Sequence, residues 1–385
     1  MGRAAPSRKN SRAAKLAANR ATTRQAKYNA LKVEAQNRGL SLLLMARAGE
    51  RTRCYLDKSL AVFEKWALQE KIPCSSWTEV DKALVEYLDV LFLNGGAAEQ
   101  GDKLLLALGH RNPDMGRGAP GDPYRARAAM RGFRKLARSH SRAPLPRAGL
   151  LAIVGAALHL GFTELALGLL VGWSAYLRLP SDLVRMTGAS LVRPAPRAGA
   201  PFFGILLYPQ EGEELGKTLV NDESIMLDTP DMKLVAPSLH ALKKRTLDHE
   251  ALWSFTQAEF YRKFNQCTLL AGLQTQVSPY QIRHGAASAD ALTKARSLPE
   301  IQERLRHSTD TATRRYKNAT RYMAELHKLP PAVSEYGRHV DLHLGDLFAG
   351  KARVTPPPGC MSHGKLIQVT RSKATPSAIS RGSAM

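Results

Sequence analysis

Apolar residues recur at spacings of three and four along much of the chain. Leu56, Leu60, Phe63 and Ala67 share one helical face, and Leu84, Tyr87, Leu88 and Leu91 share another. The second set starts just after SSWTEVD, which supplies capping residues. KLLLAL (103–108) suggests a third helix, and in DPYRARAAMRGFRKLARSHSR the residues Tyr124, Met130, Phe133 and Leu136 are expected to face inward. The pattern breaks at SRAPLPRAG (141–149), whose two prolines and flanking basic residues read as an interdomain linker. Beyond it, GLLAIVGAALHLGFTELALGLLVGW (149–173) approaches membrane-spanning length. His159 and Glu164 interrupt it and glycines divide it, so two buried core helices are predicted, with no transmembrane span. Over 190–228 the segments SLVRP, FFGILLYP and ESIMLD read as short strands split by Pro and Gly turns, and helices return from about 236 to 326.

Charge changes the picture more than composition does. The 385 residues hold 56 Lys+Arg against 33 Asp+Glu, a formal +23, which favours a polyanionic partner, above all nucleic acid. The hydrophobic share of 44% is ordinary and permits a sizeable core. Arg125, Arg127, Arg131, Arg134, Lys135 and Arg138 follow Asp122 with no further acid; such a run repels itself unless phosphates neutralise it, so this helix is expected to track DNA. Residues 1–36 are basic up to Glu34 and lack an apolar signal region, leaving a DNA-binding arm, a nuclear localisation segment and an organelle transit peptide as competing readings beside a solvated tail. Residues 350–385 contain no acid and no periodicity and are expected to be disordered. Cys54, Cys74, Cys267 and Cys360 are scattered, which argues against a zinc site or a disulfide framework and for an intracellular compartment.

Chemistry-bearing residues fall in four later stretches. SAYLRLPSDLVRM (174–186) carries Arg178 and Asp182 at i,i+4 on a predicted helix start, where a plain helix ion pair is the bland alternative. LGKTLVNDESIMLD (215–228) puts Lys217 in a Gly-Lys turn, with Lys233, Lys243 and Lys244 as nearby rivals. SPYQIRHGAAS (278–288) opens a helix and carries Arg283, with His284 beside it in an expected structural role. RLRHSTDTATRRY (304–316) places Tyr316 nine residues after His307; Tyr322, fifteen residues on, is the rival tyrosine.

In this order and at roughly this spacing, Arg178, Lys217, Arg283, His307 and Tyr316 resemble the tyrosine recombinase (phage-type integrase) family. That family has an Arg in a G-L-R-x-x-E turn, a hairpin Lys, an H-x-x-R-H helix, then L-G-H and a Tyr nine residues later. Two positions depart: Tyr280 replaces the first His of H-x-x-R, and Arg306 replaces the glycine of L-G-H. The resemblance covers about 146–326, and 37–145 looks like the family's core-binding domain.

The resemblance implies a basic arm (1–36), a helical core-binding domain (37–145), a catalytic domain (146–330) and a C-terminal segment with a disordered tail (331–385). The fold class expected is mainly α with a small β-sheet (α+β) in the catalytic domain, the two domains closing as a C-shaped clamp on DNA. Cleavage and rejoining would run through a 3′-phosphotyrosine at Tyr316, with Arg178 and Arg283 clamping the non-bridging oxygens and His307 as a third donor or base. Lys217 would protonate the departing 5′ oxygen, and Asp182 would orient the Arg178 guanidinium. Tyr280 keeps a hydrogen-bond donor at its position, but a phenol with a pKa near about 10 is a poor proton shuttle at neutral pH. No cofactor and no metal is expected. The partners implied are double-stranded DNA and a homotetramer on two DNA sites, with HVDLHLGDLF (339–348) as a candidate segment for docking onto a neighbour, and no membrane. A type IB topoisomerase-like enzyme and a recombinase-derived DNA-binding protein without catalysis are the alternatives.

Overall fold

The computed structural model describes residues 25–26, 28–137, 142–208, 222–273, 277–314, 316 and 318–360. Contacts divide the chain into two units, Met1–Ser141 and Arg142–Met385. The described residues are mostly helical, with one three-stranded antiparallel sheet. No helix among them is long and apolar enough to cross a membrane.

In the first unit a helix over 28–37 and a short one at Leu42–Met45 precede four longer helices. These are α1 (Glu50–Gln69), α2 (Trp77–Leu93), α3 (Ala98–Arg111) and α4 (Tyr124–Leu136). The predicted periodic residues Leu56, Leu60, Phe63, Leu84 and Leu88 are buried in one cluster with Leu104, Met130 and Phe133. Ser76 and Glu79 form the capping box that starts α2. The first turn of α4 has no side-chain cap of its own; Asp81 of α2 supplies one, accepting from the Arg125 and Ala126 amides at 3.0 and 2.9 Å. The inward face of α4 is Ala126, Met130 and Phe133. Tyr124 and Leu136, expected inward, lie off that stripe and are 70% and 73% exposed. The basic run is also less bare than its sequence suggests, because acids outside it pair with Arg127 (Asp122) and Arg134 (Asp102). Arg125, Arg131 and Lys135 are exposed, and Arg138 lies outside the described residues.

The second unit is built on the two helices predicted from the apolar run, α5 (Arg147–His159) and α6 (Thr163–Ser174), both buried nearly all round. Three strands follow: β1 (Leu191–Val192), β2 (Gly204–Leu207) and β3 (Glu223–Met226), in the order β1-β2-β3. Register sets Leu191 opposite Ile205 and Ile205 opposite Ile225, so all three enter the core from one face. Next come α7 (Ala236–Arg245), α8 (Gln257–Leu270), α9 (Tyr280–Thr293), α10 (Leu298–Leu305), α11 (Asp310–Arg314) and α12 (Ala319–His327). A final pair, α13 (Pro331–Leu342) and α14 (Leu344–Phe348), closes the unit, with α13 packed along α5.

The boundary between the units falls at 141/142, inside the stretch read as an interdomain linker. Beyond it, Arg147 begins α5, and residues 143–145 lie along α9, with the Leu145 amide donating to the Gln281 carbonyl at 3.1 Å and Gln281 Nε2 to the Ala143 carbonyl at 3.0 Å. Gly285 permits that approach, since a Cβ there would stand 2.0 Å from the Leu145 carbonyl oxygen. Within 339–348, Val340, Leu344 and Leu347 are buried in their own unit's core, and Leu342 is 81% exposed. Part of the segment expected to be disordered is ordered, since Ala352 and Val354 pack on the core and the Thr355 carbonyl accepts from the Tyr336 hydroxyl at 3.0 Å; residues 361–385 lie outside the described residues.

The α5–α13 contact depends on Gly337, where a Cβ would meet the Ala148 carbonyl oxygen at 2.1 Å, whereas the α4 residue Gly132 has nothing within 4 Å of a Cβ. Gly337→Ala is therefore expected to destabilise the second unit by about 1–3 kcal/mol. Gly132→Ala should stabilise the first by up to about 1 kcal/mol, since it adds only helix propensity. Urea denaturation of both variants checks the pair.

Candidate active site

The centre of the site is set by α9. Its Ser-Pro start is as predicted, and it turns Arg283 inward, where small neighbours (Gly285, Ala286, Ala287) leave space for a guanidinium that is 1% exposed. One Arg283 nitrogen, Nη1, donates to the Tyr176 carbonyl. The other, Nη2, donates to the Leu305 carbonyl and faces His307 Nε2 at 3.4 Å. Its Nε has no hydrogen-bond partner, and neither does Nη1 of Arg178. Among the described residues no carboxylate pairs with either guanidinium. Burial, then the charges of Arg306 and Arg178, pull the Arg283 pKa down to about 10. A buried cation balanced only by neutral acceptors is costly and gains strongly from an anion.

His307 follows α10, whose start is fixed by the Ser297–Glu300 capping box and whose face is anchored by Ile301 and Leu305. The stretch 304–316 is a helix end, a turn, the short α11 and a second turn carrying Tyr316. A guanidinium only donates, so His307 Nε2 must be the acceptor facing Arg283. The ring proton then sits on Nδ1 and points to Thr313 Oγ1 at 3.2 Å, and Thr313 in turn donates to the Thr309 carbonyl at 3.3 Å. Burial and the surrounding arginines, Arg283 foremost, lower the His307 pKa to about 4, which agrees with the neutral ring.

Tyr316 is half-buried and fixed at its backbone by the buried Ser288 of α9, which donates to the Tyr316 carbonyl at 2.7 Å. Its ring lies parallel to His284 at 4.1 Å, with His307 at 4.8 Å and the Arg283 guanidinium carbon 5.6 Å from its centroid. The Tyr316 hydroxyl shares a hydrogen bond with Tyr280, whose ring carries Arg142 at 5.1 Å. Burial, then the Tyr280 hydrogen bond, push the Tyr316 pKa up to about 12, with Arg283 and Arg178 pulling the other way.

Arg178, Arg283, His307, Tyr316 and Tyr280 thus come together. Lys217 lies outside the described residues, in the connection between β2 and β3. Two rival lysines are engaged elsewhere, Lys243 with Gly188 and Asp248 and Lys233 over the Phe202 ring. Tyr322 is buried, accepting the Arg147 amide at 2.9 Å.

Arg178 is not on a helix start; it sits in the loop after α6. Asp182 does not orient its guanidinium, because its Oδ2 accepts the Arg178 backbone amide at 2.9 Å and the Arg306 guanidinium at 2.5 Å. Burial opposes the Asp182 carboxylate, but Arg306 and the Arg178 amide hold its pKa below the usual range. The stacked His284 and the clamp from Ser288 were not foreseen. The only sequence signal for them is their place on the face of α9 that carries Arg283 and Tyr280.

Both imidazoles are held neutral: burial, then Arg283 and Arg142, bring His284 to about 4 as well. In the unfolded chain each takes up its proton near about 6.5. Unfolded protein therefore binds more protons between those values, and stability from this source is present above about 6.5 and lost as pH falls toward 4. Ring NMR titration of the folded protein should show both still neutral at pH 5.5; a midpoint near 6.5 for His307 would contradict the geometry. Tyr280→Phe should bring the Tyr316 absorbance titration below about 12.

No family model matches this sequence, and no curated protein matches it. Among solved structures, the crystal structure of XerA recombinase aligns over 71% of this chain and 99% of that chain, at 16% identity and a TM-score of 0.36. Overlap at that level fixes neither fold nor chemistry, which leaves the discrimination to the side chains themselves.

Proposed function

We propose that the chain is a DNA breaking-and-rejoining enzyme of the tyrosine recombinase type, carrying out site-specific recombination on double-stranded DNA. The observation that carries this reading is a phenol within electrostatic reach of two guanidiniums that have no carboxylate partner among the described residues, and beside an imidazole held neutral. In the reaction the Tyr316 oxygen attacks the scissile phosphorus. A tyrosine–phosphorus bond forms, the bond to the 5′ oxygen breaks, and the energy of the phosphodiester is kept for rejoining. Arg178 and Arg283 supply charge where the non-bridging oxygens gain it. Once the scissile phosphate offsets the arginine charges and so raises the His307 pKa, the lone pair of Nε2 takes the phenol proton. Lys217, carried over from the family resemblance, protonates the 5′ oxygen; reversal with a second 5′ hydroxyl rejoins the strand. Pairing of two duplex sites by a tetramer belongs to the same reading, as does integration or excision of a mobile element.

Charge supports the partner. The +23 excess favours a polyanion, and α4 exposes Arg125, Arg131 and Lys135. Arg131→Ala should weaken binding evenly across sequences and reduce the slope of log K against log salt by about 1.

The decisive experiment uses a pool of nicked duplexes with a randomised core, from which species joined covalently to protein are recovered after denaturation. An adduct that disappears in Tyr316→Phe and Arg283→Met supports the proposal. Duplex binding with no adduct anywhere in the pool favours a non-catalytic DNA-binding protein. Plasmid relaxation by a monomer, with no pairing of sites, favours a type IB topoisomerase-like enzyme.

A further inference from the structure

Arg306 occupies a position where a large side chain is unexpected. It ends α10 in the left-handed conformation, at φ 54°, which suits glycine. Its side chain is 5% exposed and bridges two buried carboxylates, Asp182 Oδ2 at 2.5 Å and Glu223 Oε2 at 3.3 Å. Those partners come from separate parts of the unit, Asp182 from the Arg178 loop and Glu223 from the first residue of β3. Asp182 is also a hub: besides Arg306 it accepts the Arg178 amide at 2.9 Å and the Tyr208 hydroxyl at 3.2 Å. The residue after Arg306 is His307.

We infer that Arg306 is a positioning residue: through Asp182 it locks the Arg178 loop onto the turn that carries His307, fixing the spacing of the groups that meet the phosphate. The inference rests on the strand-cleavage chemistry proposed above. Without the ion pair, the loop carrying Arg178 keeps its local bonds (the Arg178 amide on Asp182, and the Ser181 hydroxyl and Asp182 amide on the Arg178 carbonyl, each at 2.9 Å), the Tyr208 hydroxyl on Asp182 and the Arg283 bond to the Tyr176 carbonyl, but loses the direct tie between residues 182 and 306. The backbone conformation at 306 does not need the arginine. The bridge between loop and turn does, since a glycine there relieves strain and takes the guanidinium away from both Asp182 and Glu223.

The test uses a duplex recovered from the trapping pool, synthesised with either an ordinary scissile phosphate or a neutral methylphosphonate. Single-turnover cleavage at saturating DNA is compared for the wild type, Arg306→Lys and Arg306→Gly. On phosphate, Arg306→Gly should slow adduct formation by about 30-fold, part of the 10²–10³ that loss of a whole charge-stabilising donor costs, with duplex Kd changed by less than about threefold. Arg306→Lys, which keeps one ion pair, should fall between. On the methylphosphonate, where no full negative charge needs Arg178, the gap between wild type and Arg306→Gly should shrink to less than about fivefold. Comparing two substrates on one variant cancels any general loss of folded protein. Equal losses on both substrates, or no loss on phosphate, would overturn the inference. Failure of the wild type to form an adduct at all would instead remove the underlying chemistry.

Discussion

A guanidinium charge at position 283 is buried on a helix of small residues and balanced by two carbonyls and a neutral imidazole. Much of the second unit serves to keep it there. Gly285 lets residues 143–145 close over α9, Tyr176 turns its carbonyl toward Nη1 from the end of α6, and the capped α10 delivers the Leu305 carbonyl and His307. The same arrangement explains the titration of its neighbours. Burial, then the surrounding arginines, hold both imidazoles neutral, and burial with the Tyr280 hydroxyl keeps the Tyr316 phenol protonated. Such a pocket is poor at holding a proton on nitrogen and well suited to receiving an anion.

The elements legible in the sequence were those with a strong period or a local signal. The buried faces of α1 and α2, the split of the apolar run into α5 and α6, and the three short strands follow from spacing and from Pro and Gly punctuation. The order Arg178, Arg283, His307, Tyr316 was legible as well, and the fold brings those side chains together. What sequence spacing does not contain is which carboxylate meets which cation. Asp182 lies four residues from Arg178 but pairs with Arg306, because Arg178 sits in a loop and the i,i+4 geometry of a helix never arises. Acids distant in sequence likewise neutralise Arg127 and Arg134, which made α4 look barer than it is. In the C-terminal helices, too, a stripe such as Val340, Leu344 and Leu347 shows in sequence that a partner exists without saying which, and in the structure the three are buried in their own unit's core.

Arg306 and Tyr280 are both structured positions. Arg306 adopts the backbone conformation that glycine favours and adds an ion-pair bridge. Tyr280 places a second hydroxyl on the first and ties Tyr316 to the start of α9. Both changes exchange freedom at the edge of the pocket for fixed geometry.

The most direct measurement requires no knowledge of a target sequence. Inorganic phosphate is titrated into the protein while the His307 ring and Tyr316 phenol are followed by NMR across pH. If a phosphate settles between Arg178 and Arg283, its negative charge should raise His307 from about 4 and push Tyr316 further up, by offsetting the arginines that pull against it. Both responses should vanish in Arg283→Met. Unchanged titration of the two rings at saturating phosphate, or a response that survives Arg283→Met, would contradict the account.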